Sequence, residues 1–404
     1  MHMPFLEVLT ALILGILSGV ITGLVPGIHV NLISVLVLSF SALLLTITSP
    51  VNIAVYIISL AITHSFLDSI PSIYLGAPDE AQALNVLPGH RLLHQGIGHN
   101  AIVYTLMGSF GSLLAGILLF PLFMYGMEFI YPLVKESIGY ILIGIMFLLI
   151  MREKGKRLAS TAAFFLAGSL GLLIFSIPNL EQPLFPLLSG LFGFSILLVS
   201  LLQHSSIPYQ YHDEPLTISN KNLGKAVGAA SGVGFIAAFL PGFGSSQAAI
   251  VATSFVGDIG DEGFLTLVGG INTANMVISI ATLYVLDKAR NGAIITVQSI
   301  LGETTLSQII MFLAVALIVG AIAVLLALQI SKVFATYIVK INYTFIVWSI
   351  IGFITLLTLY FDGLIGLAIL GTATALGIVV SSWGVGKNHL MGCLILPVIL
   401  FFIL

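Results

Sequence analysis

"GLVPGIHVNL", residues 23–32, breaks an apolar stretch of the chain with a Pro-Gly pair, and "AFLPGFGSSQ", residues 238–247, does the same about two hundred residues later. Proline removes a backbone donor and clashes with the preceding helical turn, and glycine tolerates the backbone conformations that follow. The first stretch therefore predicts that one helix ends at Leu24–Val25 and that a second helix begins near Ile28.

The composition is typical of a membrane protein. The chain has 404 residues, of which 58% are hydrophobic and 7% are charged, whereas about 25% of residues are charged in soluble domains. Apolar runs of roughly 20 residues, the length that crosses a bilayer core, recur almost from end to end. We therefore predict an all-α polytopic protein of the cell (cytoplasmic) membrane. The formal net charge of -3 offers no basic surface, so no nucleic-acid partner is expected.

A polar interlude divides the chain near its middle. Residues 204–222, "HSSIPYQYHDEPLTISNKN", are rich in turn formers, which predicts a surface loop between two membrane repeats. The first repeat is predicted to cover residues 1–203 and the second residues 223–404. The loop "MREKGKR" at 151–157 carries four cationic side chains and is predicted to face the cytoplasm by the positive-inside rule.

The two halves resemble each other. With an offset of 215 positions, the 22 residues from Gly19 match the 22 residues from Gly234 at six positions, which include both Pro-Gly pairs. A second interrupted polar region follows each copy at a similar distance. Internal duplication is frequent in secondary transporters, so we predict two pseudo-symmetric repeats of inverted topology with broken or re-entrant helices.

The two helix breaks predict an anion site. In hydrocarbon, unpaired backbone groups cost several kcal/mol each unless protein or water satisfies them. A helix that begins after a Pro-Gly pair presents free N–H groups and the positive end of its dipole, which suits an anion. A simple kink is the alternative, but two pairs at matched positions favour a site. The predicted substrate-binding residues are Pro26, Gly27, His29 and Asn31 in the first copy and Pro241, Gly242, Ser245, Ser246 and Gln247 in the second.

Further stretches carry a resemblance to a known family: "SIPSIYLGAPDEAQALNVLPGHRLLHQGIGHNAI", "PGFGSSQAA", "GINTANM" and "KNHLMGCLILP". Together with the Pro-Gly pairs, they resemble the large permease subunit of tripartite tricarboxylate transporters and its single-chain archaeal relatives. The resemblance covers most of the chain and implies a carboxylate site near the membrane midplane. The residues that match those thought to shape that site are Pro26, Gly27, Pro241, Gly242, Asn272 and Asn275.

One departure from the family pattern bears on the substrate. Asp79 and Glu80 in "GAPDE" stand where the resemblance implies a Pro-Gly-Thr-like turn. Their charges would repel a polycarboxylate, which argues against citrate-like substrates.

Ionisable and amide side chains inside apolar segments predict ion coupling. His64 and Asp68 are four positions apart, so on a helix they share a face and could form a hydrogen-bonded pair that moves protons. A structural pair without a transport role is the alternative. Asn272, Thr273 and Asn275 follow Gly269-Gly270, where an unwound helix could hold sodium or clamp the substrate. Interhelical hydrogen bonding is the alternative for these residues.

The histidines of "LPGHRLLHQGIGHN" allow a weaker hypothesis. His90 and His94 have the i, i+4 spacing of zinc ligands and could be completed by Asp79 or His99. The glycines and charges of this stretch favour a surface loop, so no metal site is predicted. Arg91 could contact an anion, but a role as a topology anchor at the membrane surface is favoured.

These observations predict a secondary active transporter for a small organic anion, coupled to H⁺ or Na⁺, with no cofactor beyond that ion. The alternative is a translocase for a phosphorylated lipid carrier, because helix N-termini bind phosphate as readily as carboxylate. A third hypothesis, an intramembrane hydrolase that uses Ser245 or Ser246 with His29, is disfavoured, so no enzyme activity is expected. Membrane lipids are expected neighbours, a homodimer is compatible with the sequence, and the need for an accessory binding protein stays open.

Overall fold

The computed structural model describes residues 5–25, 30–76, 82, 84–178, 180–202, 207–239, 245–286, 291–338 and 343–404. Over these residues all regular structure is helical, and seven helices are long and apolar enough to cross a membrane. The prediction of an all-α polytopic membrane protein is confirmed.

Helices follow one another through both halves. The first half contains α1 (Phe5–Leu24), α2 (Val30–Ser39), α3 (Ser41–Leu44), α4 (Pro50–Leu67), α5 (Ser69–Leu75), α6 (Val86–His94), α7 (Gly98–Leu118), α8 (Phe120–Lys135), α9 (Ile138–Arg152), α10 (Arg157–Phe175), α11 (Leu184–Leu188), a π-helical turn (Ser189–Phe194) and α12 (Ser195–Leu202). The second half contains α13 (Asn220–Phe239), α14 (Ser245–Val256), α15 (Gly260–Val285), α16 (Gly292–Leu301), α17 (Leu306–Ile338), α18 (Tyr343–Ser382), a 3₁₀ turn (Lys387–Met391) and α19 (Gly392–Ile403).

Helices α1 and α4 run parallel and in close contact. Gly15 of α1 lies against Ser59 of α4, and Gly23 lies against Leu67, so position increases in the same direction along both helices. The missing side chains at these glycines let the two backbones approach, as in other membrane helix pairs. The segment between α1 and α4 therefore brings the chain back to the level at which α1 begins.

The second half contains a similar helix pair. Gly270 of α15 lies against Ala230 of α13, and Gly234 of α13 lies against Ala274 of α15, so these helices are also parallel. Helices α1 and α13 have 20 residues each. Their first residues, Phe5 and Asn220, are 215 positions apart, as are the first residues of α2 and α14.

A proline separates α4 from α5. Pro71 has no N–H group to donate to the carbonyl of Leu67, so the helix is interrupted between them. Asp68 lies at this junction, and its backbone N–H donates to His64 O at 2.9 Å. The combined span Pro50–Leu75 is almost wholly buried inside the protein. Its polar side chains therefore face other helices and not lipid.

Small residues allow α7 and α15 to touch. Gly108 lies directly against the backbone of Thr266, and Gly269 lies against the backbone of Thr105. Ser109 Oγ donates to Gly269 O at 3.1 Å. The prediction of an unwound helix after Gly269-Gly270 is wrong, because α15 is continuous from Gly260 to Val285. These glycines serve the close approach of a neighbouring helix and do not break their own.

The polar interlude is attached to the bundle. Tyr211 N donates to Gly96 O at 2.7 Å, and the Gln210 side chain bonds to Gly98 N and Leu93 O. Helix α13 begins at Asn220, three positions before the predicted second repeat, because Ser219 Oγ accepts a hydrogen bond from a backbone N–H of its first turn.

We expect Gly108→Ala to destabilise the protein by about 1–3 kcal/mol, because the added methyl group would overlap the backbone of Thr266. Thermal unfolding of the detergent-solubilised protein measures this effect. Gly144→Ala is the matched control, since Gly144 is exposed on α9 and has no neighbour within 4 Å of an added Cβ among the residues that the structure describes. Equal unfolding midpoints for the two variants would contradict the packing argument.

Candidate functional site

Both Pro-Gly pairs lie outside the described residues. This applies to Pro26, Gly27, His29, Pro241 and Gly242, so their predicted roles stay predictions. The flanking helices are described: α1 ends at Leu24, α2 begins at Val30, α13 ends at Phe239 and α14 begins at Ser245.

The predicted site residues next to the breaks differ in their surroundings. Asn31 is exposed on the first turn of α2, and its side chain lies beside Gly292 at the start of α16. Ser245 is buried at the first position of α14. The side chains of Ser246 and Gln247 lie outside the described part of the chain.

Asp68 is the centre of a buried polar cluster. Its Oδ1 accepts a hydrogen bond from Gln82 Nε2 at 2.9 Å, and its Oδ2 accepts one from Asn272 Nδ2 at 2.9 Å. The residue is 3% exposed. A buried carboxylate is stable when its oxygen atoms accept hydrogen bonds, and here each half of the chain supplies one amide donor. The structure thus brings together two predicted residues, Asp68 and Asn272.

Side chains around Asp68 extend the cluster. Asn85 Nδ2 donates to Gln82 Oε1, which orients the Gln82 amide with its N–H group toward Asp68. Thr105 Oγ1 of α7 donates to Ser69 Oγ at 3.2 Å. The cluster therefore joins α5 and α7 with the segment before α6.

His64 has a partner on α1. Its Nδ1 lies 3.1 Å from Thr22 Oγ1, and the residue is 6% exposed. Because one side of the ring faces α1, the histidine links the parallel pair α1 and α4. A proton-coupling pair with Asp68 stays a prediction.

Thr273 and Asn275 lie on the continuous part of α15. Thr273 is fully buried, and its Oγ1 has no hydrogen-bond partner among the described residues. Asn275 is partly exposed, and its backbone carbonyl accepts a hydrogen bond from Ser279 Oγ at 2.7 Å. Unwound carbonyls are therefore not available here as ion ligands, whereas the side-chain oxygens are.

The histidines near α6 do not form a ligand cluster with a third residue that the structure describes. The ring centroids of His90 and His94 are 6.2 Å apart, whereas His99 Nδ1 lies 3.0 Å from Ser331 Oγ of α17. Burial lowers the pKa of His90 to about 4, and nearby His94 adds to the shift, so His90 is neutral near pH 7. Asp79 and Glu80 lie outside the described residues.

An open cavity of about 590 Å³ lies between the two halves. This volume is within the range of small-molecule sites. The first half contributes residues from α6, α9 and α12, and the second half contributes α14, the start of α15 and the 3₁₀ turn before α19. The polar and charged lining residues are Arg91, Arg152, Glu153, Thr253, Asp258, Asp261, Lys387 and Asn388.

One ion pair and one histidine contact engage part of this charge. Arg91 of the first half forms an ion pair with Asp261 of the second, and the role of Arg91 as a topology anchor stays a prediction. His389 Nε2 lies 3.4 Å from Glu153 Oε1, a contact that is an ion pair only when the histidine is protonated. Lys387 Nζ donates to Ser195 Oγ at 2.6 Å.

Sequence reasoning missed Gln82 and Lys387. Gln82 follows two acidic residues in a stretch that reads as a loop, and nothing local marks it as the donor to Asp68. Lys387 stands in "KNHLMGCLILP", which was used for the family resemblance but was given no role. A cation just before an apolar segment was the available signal.

Seven helices that are long and apolar enough to cross a membrane, among the residues that the structure describes, indicate a multi-pass membrane protein. The chain belongs to the tripartite tricarboxylate transporter TctA family, whose model matches residues 9–392. This match confirms the predicted resemblance. The family is one of transporters and not of enzymes. The chain is 29% identical over 403 residues to the uncharacterized protein MJ1079 of Methanocaldococcus jannaschii, covering 97% of this chain and 98% of that protein. No solved structure gives a significant match.

We expect Asp68→Asn to destabilise the protein by about 1–3 kcal/mol, because the new NH₂ group would face an N–H donor of Gln82 or Asn272 and one hydrogen bond would be lost. Asn272→Asp should also destabilise it, because a second carboxylate would face Asp68. The double variant exchanges the two groups and should recover stability, with a coupling energy of about 0.5–3 kcal/mol. Thermal unfolding in detergent measures all three variants, and strictly additive effects would contradict a direct bond between these side chains.

Proposed function

We propose that the chain is a secondary active permease that moves a small organic anion, a carboxylate, across the cell membrane with H⁺ or Na⁺ coupling. Membership of the tripartite tricarboxylate transporter family supports the transport of a small anion. The family also makes an accessory binding protein a candidate partner.

The observation that carries this proposal is the open cavity between the halves. Ile250 and Thr253 of α14 line it, and α14 is the helix that follows the second Pro-Gly pair. A substrate in the cavity would therefore lie beside the C-terminal half of α14, the helix whose N-terminus the sequence predicts as an anion site. The loop at 151–157 contributes Arg152 and Glu153, so the cavity opens to the cytoplasm if that loop has the predicted orientation.

Helix directions support an inverted repeat. Helix α7 is antiparallel to the span α4–α5, since Thr105 contacts Ser69 and Gly98 lies beside Tyr74. It is parallel to α15, since Thr105 lies beside Gly269 and Gly116 beside Val277. The span α4–α5 and α15 therefore run in opposite directions, as equivalent helices of an inverted repeat do. In our proposal, alternating access moves the helix pairs of the two halves against each other.

The buried polar side chains support ion coupling. Asp68 is a carboxylate between the halves, and Thr273 supplies a buried hydroxyl oxygen, a ligand type that suits a hard cation. His64 is the candidate for proton transfer, since imidazole titrates near neutral pH. Sodium at Asp68 and Thr273, or a proton at His64, would couple transport to an ion gradient.

A translocase for a phosphorylated lipid carrier is the second candidate. A groove of about 740 Å³ between α1 and α17 is lined by apolar side chains from Phe5 to Leu17 and from Met311 to Leu326, and it could hold an acyl chain. A homodimer stays a prediction, as do the side on which the loop at 151–157 lies and the identity of the membrane.

Purified protein in liposomes should take up labelled small carboxylates under an inward H⁺ or Na⁺ gradient. Thr253→Trp should abolish uptake, because the larger side chain fills the cavity, whereas Thr372→Trp, at an exposed position on α18, should leave uptake unchanged. Failure to transport any carboxylate of a broad panel, together with movement of a lipid phosphate, would refute the permease and support the translocase.

We expect His64→Gln to change the pH dependence of uptake, because the variant has no side chain at this position that can bind and release a proton. Thr22→Val is the matched control, since it removes the partner hydroxyl and keeps the titratable ring. A pH profile identical to that of the original protein would remove His64 from proton transfer and leave sodium as the coupling ion.

A further inference from the structure

We propose that Lys387 and Arg152 form the anion-recognition part of the cavity and that each binds a carboxylate group of the transported substrate. This inference rests on the proposed function, and it assigns the charge recognition to residues away from the Pro-Gly pairs. Both side chains line the same open cavity of about 590 Å³.

The amine of Lys387 is positioned by the protein but not neutralised by it. Its Nζ donates to the hydroxyl of Ser195 at 2.6 Å, and no carboxylate among the described residues forms an ion pair with it. A lysine ammonium has three N–H donors. Two of them are therefore available to a ligand in the cavity.

Arg152 is a second free cation. Its side chain forms no hydrogen bond or ion pair with the part of the chain that the structure describes. Its guanidinium can bind a carboxylate through two parallel hydrogen bonds. A ligand with two carboxylate groups is therefore matched in charge to the two cations that line the cavity.

Each acidic residue that lines the cavity has an interaction partner within the protein. Asp261 pairs with Arg91, and Glu153 lies against His389. Asp258 Oδ1 accepts a hydrogen bond from the backbone N–H of Gly260 at 3.1 Å. None of these three carboxylates forms an ion pair with Lys387 or Arg152 in the part of the chain that the structure describes, so both cations are available to an anion.

Burial of the Lys387 ammonium favours the binding of a counter-ion. Lys387 is partly buried in the cavity wall, where an ammonium without a counter-ion is less stable than it is in water. A bound carboxylate would supply that counter-ion. Lys387 belongs to the second half and Ser195 and Arg152 to the first, so a substrate bound to both cations would also bridge the halves that alternating access moves.

The test measures binding directly, with the full chain in detergent. Equilibrium titration with succinate, citrate and inorganic phosphate gives an affinity for each ligand. Lys387→Gln should raise the Kd of the bound carboxylate by about tenfold or more, the effect expected for loss of one charge-assisted hydrogen bond. Lys387→Arg should retain most of the affinity. Lys154→Gln is the matched control, because Lys154 is exposed in the same loop as Arg152 and does not line the cavity.

Arg152→Gln provides a second variant in case Lys387→Gln fails to fold, since the Arg152 side chain is exposed and forms no hydrogen bond or ion pair with the described residues. It should also weaken carboxylate binding, and uptake by liposomes should show a raised KM for either variant with little change in kcat. Equal Kd values for the original protein, Lys387→Gln and Arg152→Gln would overturn this inference and leave the proposed function intact. If no carboxylate binds the original protein, or if inorganic phosphate alone binds it, the inference falls together with the carboxylate permease.

Discussion

The buried carboxylate of Asp68 is the constraint on which the arrangement of the two halves depends. A carboxylate among membrane helices is unstable unless protein donors satisfy it. Gln82 of the first half and Asn272 of the second each donate an amide N–H to it. The break before Pro71 sets the carboxylate at a helix junction, and α15 must lie beside that junction for Asn272 to reach it. One ionisable group thus fixes how the parallel helix pairs meet.

Small side chains allow the helices to pack closely enough for these contacts. Gly108 and Gly269 bring α7 and α15 into backbone contact, and Gly15 and Gly23 do the same for α1 and α4. Membrane helices gain little from hydrophobic association, because lipid tails are as apolar as leucine side chains. Close backbone packing and interhelical hydrogen bonds therefore hold the bundle together, and the polar cluster is part of that packing.

The sequence was sufficient for those features that depend on local chemistry. Composition predicted membrane helices, and the first Pro-Gly pair predicted the end of α1 at Leu24. Asp68 and Asn272 were both recognised as polar residues at membrane depth, but their contact was not, because they are 204 positions apart. The prediction of an unwound helix after Gly269 was wrong. A glycine pair allows either a helix break or a close contact between helices, and the neighbouring helix decides between the two. Lys387 was missed because the cavity beside it is formed by both halves, and no local pattern of residues reveals such a cavity.

The interior position of α4 also constrains how the protein is made. A carboxylate in a lone membrane segment opposes insertion, by an amount that reaches about 2.5–3.5 kcal/mol at a helix centre. Asn272 is synthesised 204 residues after Asp68. While the chain is still being made, α4 can pair with α1 through small residues, but its carboxylate lacks the amide donor of the second half. The first half is therefore synthesised before one donor to its buried carboxylate exists, and α15 supplies that donor when it packs against the α4–α5 junction.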